Sequence, residues 1–89
     1  MPTFVVEAYE ARGRGAEALS GLEERARAAA AELSRSGSRV RHVRTTFLPE
    51  DELCLHVFEA SSREAVLEAA RRAGLPDARV TEAVERELN

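Results

Sequence analysis

The chain has no lysine, no isoleucine, no glutamine, no tryptophan and a single cysteine. Each shortage excludes something. One cysteine forms no internal disulfide. Cys54, His42 and His56 make three soft donors, one short of a structural zinc site built from four Cys/His ligands. Aromatic residues are 4% of the chain, so the paired aromatics that stack bases on RNA-binding sheets are missing. No apolar run approaches the roughly 20 residues that span a bilayer. The opening "MPTFVVEAYE" has no charged leader, long apolar core or cleavage site. With a free thiol, it sets the cytoplasm as the expected location. All 13 basic residues are arginine, which fits the coding bias of a GC-rich bacterial genome better than a functional signature. The net charge of −3 is spread along the chain and calls for neither nucleic acid nor a membrane surface.

What remains is a chain of 89 residues, the length of one domain, here 1–89. A chain this short buries about 60–65% of the surface its unfolded form exposes, so its core is thin. Without disulfides or structural zinc, self-association is the remaining way to add buried area.

Residues 3–9, "TFVVEAY", read as a strand bounded by Pro2 and "ARGRG" at 11–15. Residues 16–36 read as a helix, with Leu19, Leu22, Ala26, Ala29 and Leu33 on one stripe. Glu23 and Arg27 have i,i+4 spacing on its wet side, and Gly37 suits a left-handed cap. A second strand spans 39–48, "PEDE" at 49–52 turns the chain, and a third strand spans 53–60. Ser61 and Glu64 have capping-box spacing for a helix that runs to Ala73 and stops at Gly74 and Pro76. Val80, Val84 and Leu88 step by four, as in a helix, but 79–85 also alternates as a strand. The strand is favoured because the preceding hairpin needs covering. The order βαββαβ then predicts an α+β, ferredoxin-like domain: a four-stranded antiparallel sheet with two helices on one face.

Such a sheet has an open face, which on a monomer is ordinarily polar. The first and third strands are apolar on both faces. Val5 and Tyr9 oppose Phe4 and Val6, and Cys54 and Phe58 oppose Leu53, Leu55 and Val57. Apolar area of this kind marks a partner surface or a ligand groove, so a homodimer packed sheet to sheet is expected, with room for a small ligand between the sheets. Tyr9, Arg44, Phe47 and Phe58 are its candidate ligand-lining residues.

Cys54 and His56 are two apart and share a face. A two-residue loop at Glu50–Asp51 pairs Cys54 with Phe47 and His56 with Thr45, leaving His42 on the opposite face. A longer loop or a bulge flips the alternation and brings His42, Arg44 and Thr46 to join them. "ED" is not a preferred two-residue hairpin loop, which keeps both registers open. Glu7, His42, Cys54 and His56 are candidate ligands for nickel or another divalent transition metal, since imidazole and thiolate suit such ions and a carboxylate can complete the shell. The plainer alternative is an inert buried cysteine beside a hydrogen-bonded histidine. A nucleophile–base pair of Cys54 and His56 has no supporting motif, and acid–base work by Tyr9, His42 and Glu7 has no specific spacing. Arg39, Arg41 and Arg44 lie on an edge strand, where charge blocks edge-to-edge pairing.

The stretch "FLPEDELCLHVFEASSREAVLEAARRAGLPDARVTEAVE" at 47–85 resembles the carboxy-terminal half of a family of small bacterial proteins known as a domain of unknown function, one member of which is described as nickel-binding. The likeness lies in the acidic turn, Cys54, Glu59-Ala60-Ser61 opening a helix and Arg72-Ala73-Gly74-Leu75-Pro76 closing it. It implies a ferredoxin-like, self-associating domain. The nickel binders carry histidines around the first strand, and "TFVVEAYE" has none, so only Cys54 matches a family motif residue. The expectation is a small cytoplasmic homodimer, more binding protein than enzyme, whose open sheet face takes a small ligand or a nickel-like ion. The alternatives are a cofactor-free dimeric α/β-barrel enzyme of monooxygenase or cyclase type, or a purely structural interaction domain.

Overall fold

The computed structural model describes residues 1–10 and 15–86 (for 15–18 the backbone alone). Leu88 and most of "ARGRG" lie outside the described residues. The elements are β1 (Thr3–Tyr9), α1 (Gly15–Arg35), β2 (Val40–Leu48), β3 (Leu53–Ala60), α2 (Arg63–Arg72) and β4 (Arg79–Ala83). They form one antiparallel sheet in the order β2-β3-β1-β4, the ferredoxin-like arrangement. The segment at 79–83 is a strand, and its partner is β1 rather than the hairpin.

The helices begin and end for local reasons. Ser62, not Ser61, caps α2: its backbone is extended and its Oγ accepts from the Ala65 backbone N–H at 3.2 Å. Glu64 therefore sits one place short of the position from which a capping-box carboxylate reaches back. Gly37 and Gly74 follow the two helices with φ of +100° and +86°, the left-handed conformation that favours glycine. Arg25 of α1 donates its Nε–H to the Ala73 carbonyl at 3.2 Å. That bond ties the helices together and satisfies an orphan acceptor at the end of α2. On the wet side of α1, Arg27 pairs with Glu24 at i,i+3 rather than with Glu23 at i,i+4.

The core lies between the helices and one sheet face. Phe4 and Val6 from β1, Phe58 and Ala60 from β3 and Val40 from β2 meet Ala26, Ala29, Ala30 and Leu33 of α1 and Ala65, Val66, Ala69 and Ala70 of α2. So many alanines let both helices lie close to the sheet. Since residues two apart share a face, Cys54 and His56 belong to this helix side with Phe58 and Ala60. Leu53, Leu55, Val57 and Glu59 belong to the open face, with Val5, Glu7 and Tyr9.

The hairpin register settles the position of His42. The ladder closes at Leu48–Leu53 across the four residues 49–52, pairing Phe47 with Cys54 and Thr45 with His56. Glu52 takes φ +50° to make the corner. Further along, the pairing shifts between His42 and Arg44, so that Arg44 opposes Val57 and His42 opposes Phe58. The extra residue is Val43, a β-bulge. It turns His42 to the helix side while leaving Arg44 and Thr46 on the open face. The residues that join Cys54 and His56 are thus His42, Thr45 and Phe47.

Candidate functional site

The soft donors meet beneath α1, in the half of the helix-side layer nearest the 49–52 turn. Cys54 and His56 have 0% exposure, and His56 is the one charged or polar side chain buried in the core among the described residues. A buried imidazole is costly unless both nitrogens find partners. Here both do. His56 Nδ1 lies 2.9 Å from Thr45 Oγ1, and His56 Nε2 lies 3.6 Å from Cys54 Sγ. The same Thr45 oxygen lies 2.9 Å from His42 Nε2. The four side chains form one line: His42, Thr45, His56, Cys54. Its outer end, the half-buried His42, stacks obliquely on Phe58 with ring centres 5.3 Å apart. His42 also lines a groove of about 400 Å³ between α1 and β2, together with Arg27, Ala30, Ser34 and Val40.

All members of the line are neutral at pH 7. Burial, then the neighbouring His42 and Arg25, lower the His56 pKa to about 4. Burial, then Glu10 and Glu23, raise the Cys54 thiol to about 11. Burial lowers His42 as well. Glu23 opposes that shift, Arg27 adds to it, and a hydrogen bond to the Arg44 backbone opposes it. Each neutral ring carries one proton and the Thr45 hydroxyl one hydrogen, so at least one of the two rings donates to Thr45 Oγ1, and the direction in which the line runs follows the ring tautomers.

This arrangement does not make a nucleophile at neutral pH. A thiol held near 11 beside an imidazole held near 4 is the reverse of the lowered thiol and matched base that activate cysteine. The chemistry it does offer is soft-donor ligation. A tetrahedral ion bound at ordinary M–N and M–S lengths separates those two atoms by about 3.5 Å, close to the 3.6 Å between His56 Nε2 and Cys54 Sγ. The pair therefore matches a transition metal in donor type, but two buried donors leave the rest of a tetrahedral shell unfilled. All three donors do not fit one ion, because His42 and Cys54 flank opposite nitrogens of the His56 ring. Among the described residues no group of three or more His, Cys, Asp or Glu is placed to hold a metal.

The other candidates are divided between the faces. Phe47 and Phe58 lie on the helix side beside Cys54 and His42. Glu7 is on the open face, between Leu55 and Arg79, with the sheet separating it from the Cys54 and His56 side chains. Tyr9 is 70% exposed and donates its hydroxyl hydrogen to Glu52 Oε1 at 3.2 Å; that carboxylate raises the phenol's pKa. Arg44 pairs with Glu85 at 3.5 Å. Since β2 and β4 are the two outer strands, this ion pair bridges the open face. Thr45 is the member of the line that sequence reasoning did not single out. Its one signal was its register position opposite His56.

A family model described as "Nickel responsive protein SCO4226-like" matches residues 11–83. The chain belongs to this family. The match spans β2, the 49–52 turn, β3 and α2, so it includes every member of the Cys54–His56–Thr45–His42 line. No curated protein matches the chain, and no solved structure does. The SCO4226-like description concerns a response to nickel, and the imidazole and thiolate donors of this chain suit that ion chemically. No helix among the described residues is long and apolar enough to cross a membrane.

Proposed function

We propose that the chain is a metal-binding domain of the nickel-responsive type, acting as a homodimer in the cytoplasm. The observation that carries this reading is the line of soft donors, Cys54, His56 and His42 joined through Thr45, in a member of an SCO4226-like family. A polar line in so thin a core has a stability cost that hydrocarbon there does not incur, and ligation gives it a use. Nickel(II) is the first candidate ion. The donors lie under α1, so a bound ion bears on helix packing, which gives the domain a way to respond.

The dimer reading rests on the open face. Val5 and Leu55 are partly exposed near its centre, with Leu53, Leu48 and Tyr9 at one end, and sheet-to-sheet packing would remove this surface from water. Isothermal titration of tag-free protein with nickel(II) tests the metal reading. A saturable heat with about one ion per chain supports it, and no heat above dilution rejects it. Sedimentation at tens of micromolar tests the dimer, which a monomer rejects.

A further inference from the structure

We propose, resting on the homodimer reading of the open sheet face, that the chain's own residues 84–86 form a strap across that face. The Arg44–Glu85 ion pair latches the strap, and the latch has to open before a second copy can pack there.

The strand register leads to this. Arg44, Val57, Val5 and Thr81 stand abreast in one row across the open face, and Arg41, Glu59, Thr3 and Ala83 form the next row. Strands about 4.8 Å apart put β4 about 14 Å from β2. The β4 strand ends at Ala83. Had it run straight on, residue 85 would lie two rows from Arg44, with the two backbones about 20 Å apart. One arginine and one glutamate side chain do not close that gap. Yet Arg44 Nη2 lies 3.5 Å from Glu85 Oε1. The chain therefore turns back after Ala83, and residues 84–85 return over the open face towards β2.

The row that the latch spans is apolar at its centre, through Val57 and Val5. Val57 is 6% exposed on a face that no helix covers, while Val5 and Leu55 beside it are partly exposed. The strap itself is held lightly. Its Val84 side chain is 87% exposed, and both side chains of the ion pair are more than half exposed. Charge rather than apolar packing keeps it down, so it is releasable. A sheet-to-sheet dimer needs the same row. Each copy has to free its strap, and the apparent affinity falls by the fraction of open chains, once per copy. An exposed ion pair shifts such an equilibrium by about two- to fivefold, hence about 4- to 25-fold for two copies.

The test is sedimentation equilibrium of the full chain at low salt, beside Glu85→Gln and the exchange Arg44→Glu with Glu85→Arg. Glu85→Gln should dimerise about 4- to 25-fold more tightly than wild type. The exchange rebuilds the pair with its charges swapped and should return the wild-type dissociation constant, which a mere change of charge at the interface would not do. Added sodium chloride should tighten the wild-type dimer towards that of Glu85→Gln. In dilute wild type, proton NOEs from residues 84 and 85 to the Val57 methyls report the strap directly, and Glu85→Gln should weaken them. Equal dissociation constants for wild type and Glu85→Gln, or no such NOEs in wild type, overturn the strap and leave the dimer reading standing. A monomeric wild type beside a dimeric Glu85→Gln supports the strap and rejects the dimer for the unaltered chain. Monomers throughout overturn both.

Discussion

The helix-side layer has two unlike ends. Around Phe4, Phe58, Ala60, Val66 and Ala69 it is hydrocarbon, closed by α2 and the second half of α1. Nearer the 49–52 turn, the same face of the same strands carries Thr45, Cys54 and His56, three polar side chains joined end to end. The hydrocarbon end is stabilised by area removed from water, which tolerates imperfect fit. The polar end is stabilised only while every donor and acceptor stays paired, because an orphaned one costs its full desolvation. That condition is met: among the described residues no buried side-chain nitrogen or oxygen lacks a partner. One end of the layer therefore supports the fold through buried area, and the other through complete pairing of its polar groups.

Breaking the hydrocarbon end should have the largest effect. Phe58→Ala removes the largest fully buried side chain and should lower unfolding free energy by about 3–5 kcal/mol in a urea titration. His42 loses the ring it rests on as well. In a domain this small, that is a large share of the total.

The polar end should reveal itself through pH, which the hydrocarbon end does not feel. The His56 pKa is lowered in the fold, to about 4 from the ordinary imidazole value of 6.5, so the unfolded chain binds more protons between those values. Stability should therefore fall as pH drops from about 6.5 to about 4, with a slope from His56 of at most about 1.4 kcal/mol per pH unit, to which the lowered His42 adds in the same direction. The Cys54 pKa is raised, to about 11 from 9.0, so its contribution is complete below pH 9 and is lost as pH rises from there towards 11. Urea titrations across pH should give a plateau between about 6.5 and 9. Cys54→Ala should remove the alkaline decline and leave the acid one in place. A flat profile at low pH would contradict the buried, neutral imidazole.

Thr45→Val should cost less than Phe58→Ala, about 1–3 kcal/mol, since it keeps the shape of the side chain but orphans nitrogens on two rings. The smallest effect belongs to neither end. A methyl added at Gly21 would meet only Arg25 Nη1 at 3.6 Å, so Gly21→Ala should raise stability by about 0.5–1 kcal/mol through helix propensity. A loss of stability there would point to an undescribed contact along the first turns of α1.

The two ends also differ in how well they could be read from the sequence. The hydrocarbon end was legible because its signals are periodic: the stripe through Leu22, Ala26, Ala29 and Leu33, the alternation in β1, and the glycines that stop both helices. The cap of α2 fell one residue from its expected place because Ser61 and Ser62 are adjacent and either can cap. The polar end was legible only in part. Strand alternation places Cys54 and His56 on one face, but both strands are apolar on both faces, so alternation alone could not say which face meets the helices. His42 depended on a bulge at Val43, and "RHVR" holds no glycine or other mark of a bulge. Glu7 was grouped with the donors from residue type, and the sheet puts it on the far side. Thr45 looked like an ordinary strand threonine until register placed it between two imidazoles.

The most direct test of the central claim is equilibrium dialysis of tag-free protein against nickel(II) at pH 7.5, beside Cys54→Ala. The account predicts about one nickel ion retained per wild-type chain and at least a tenfold weaker retention by the variant. Equal retention by the two proteins, or none by wild type, would contradict it.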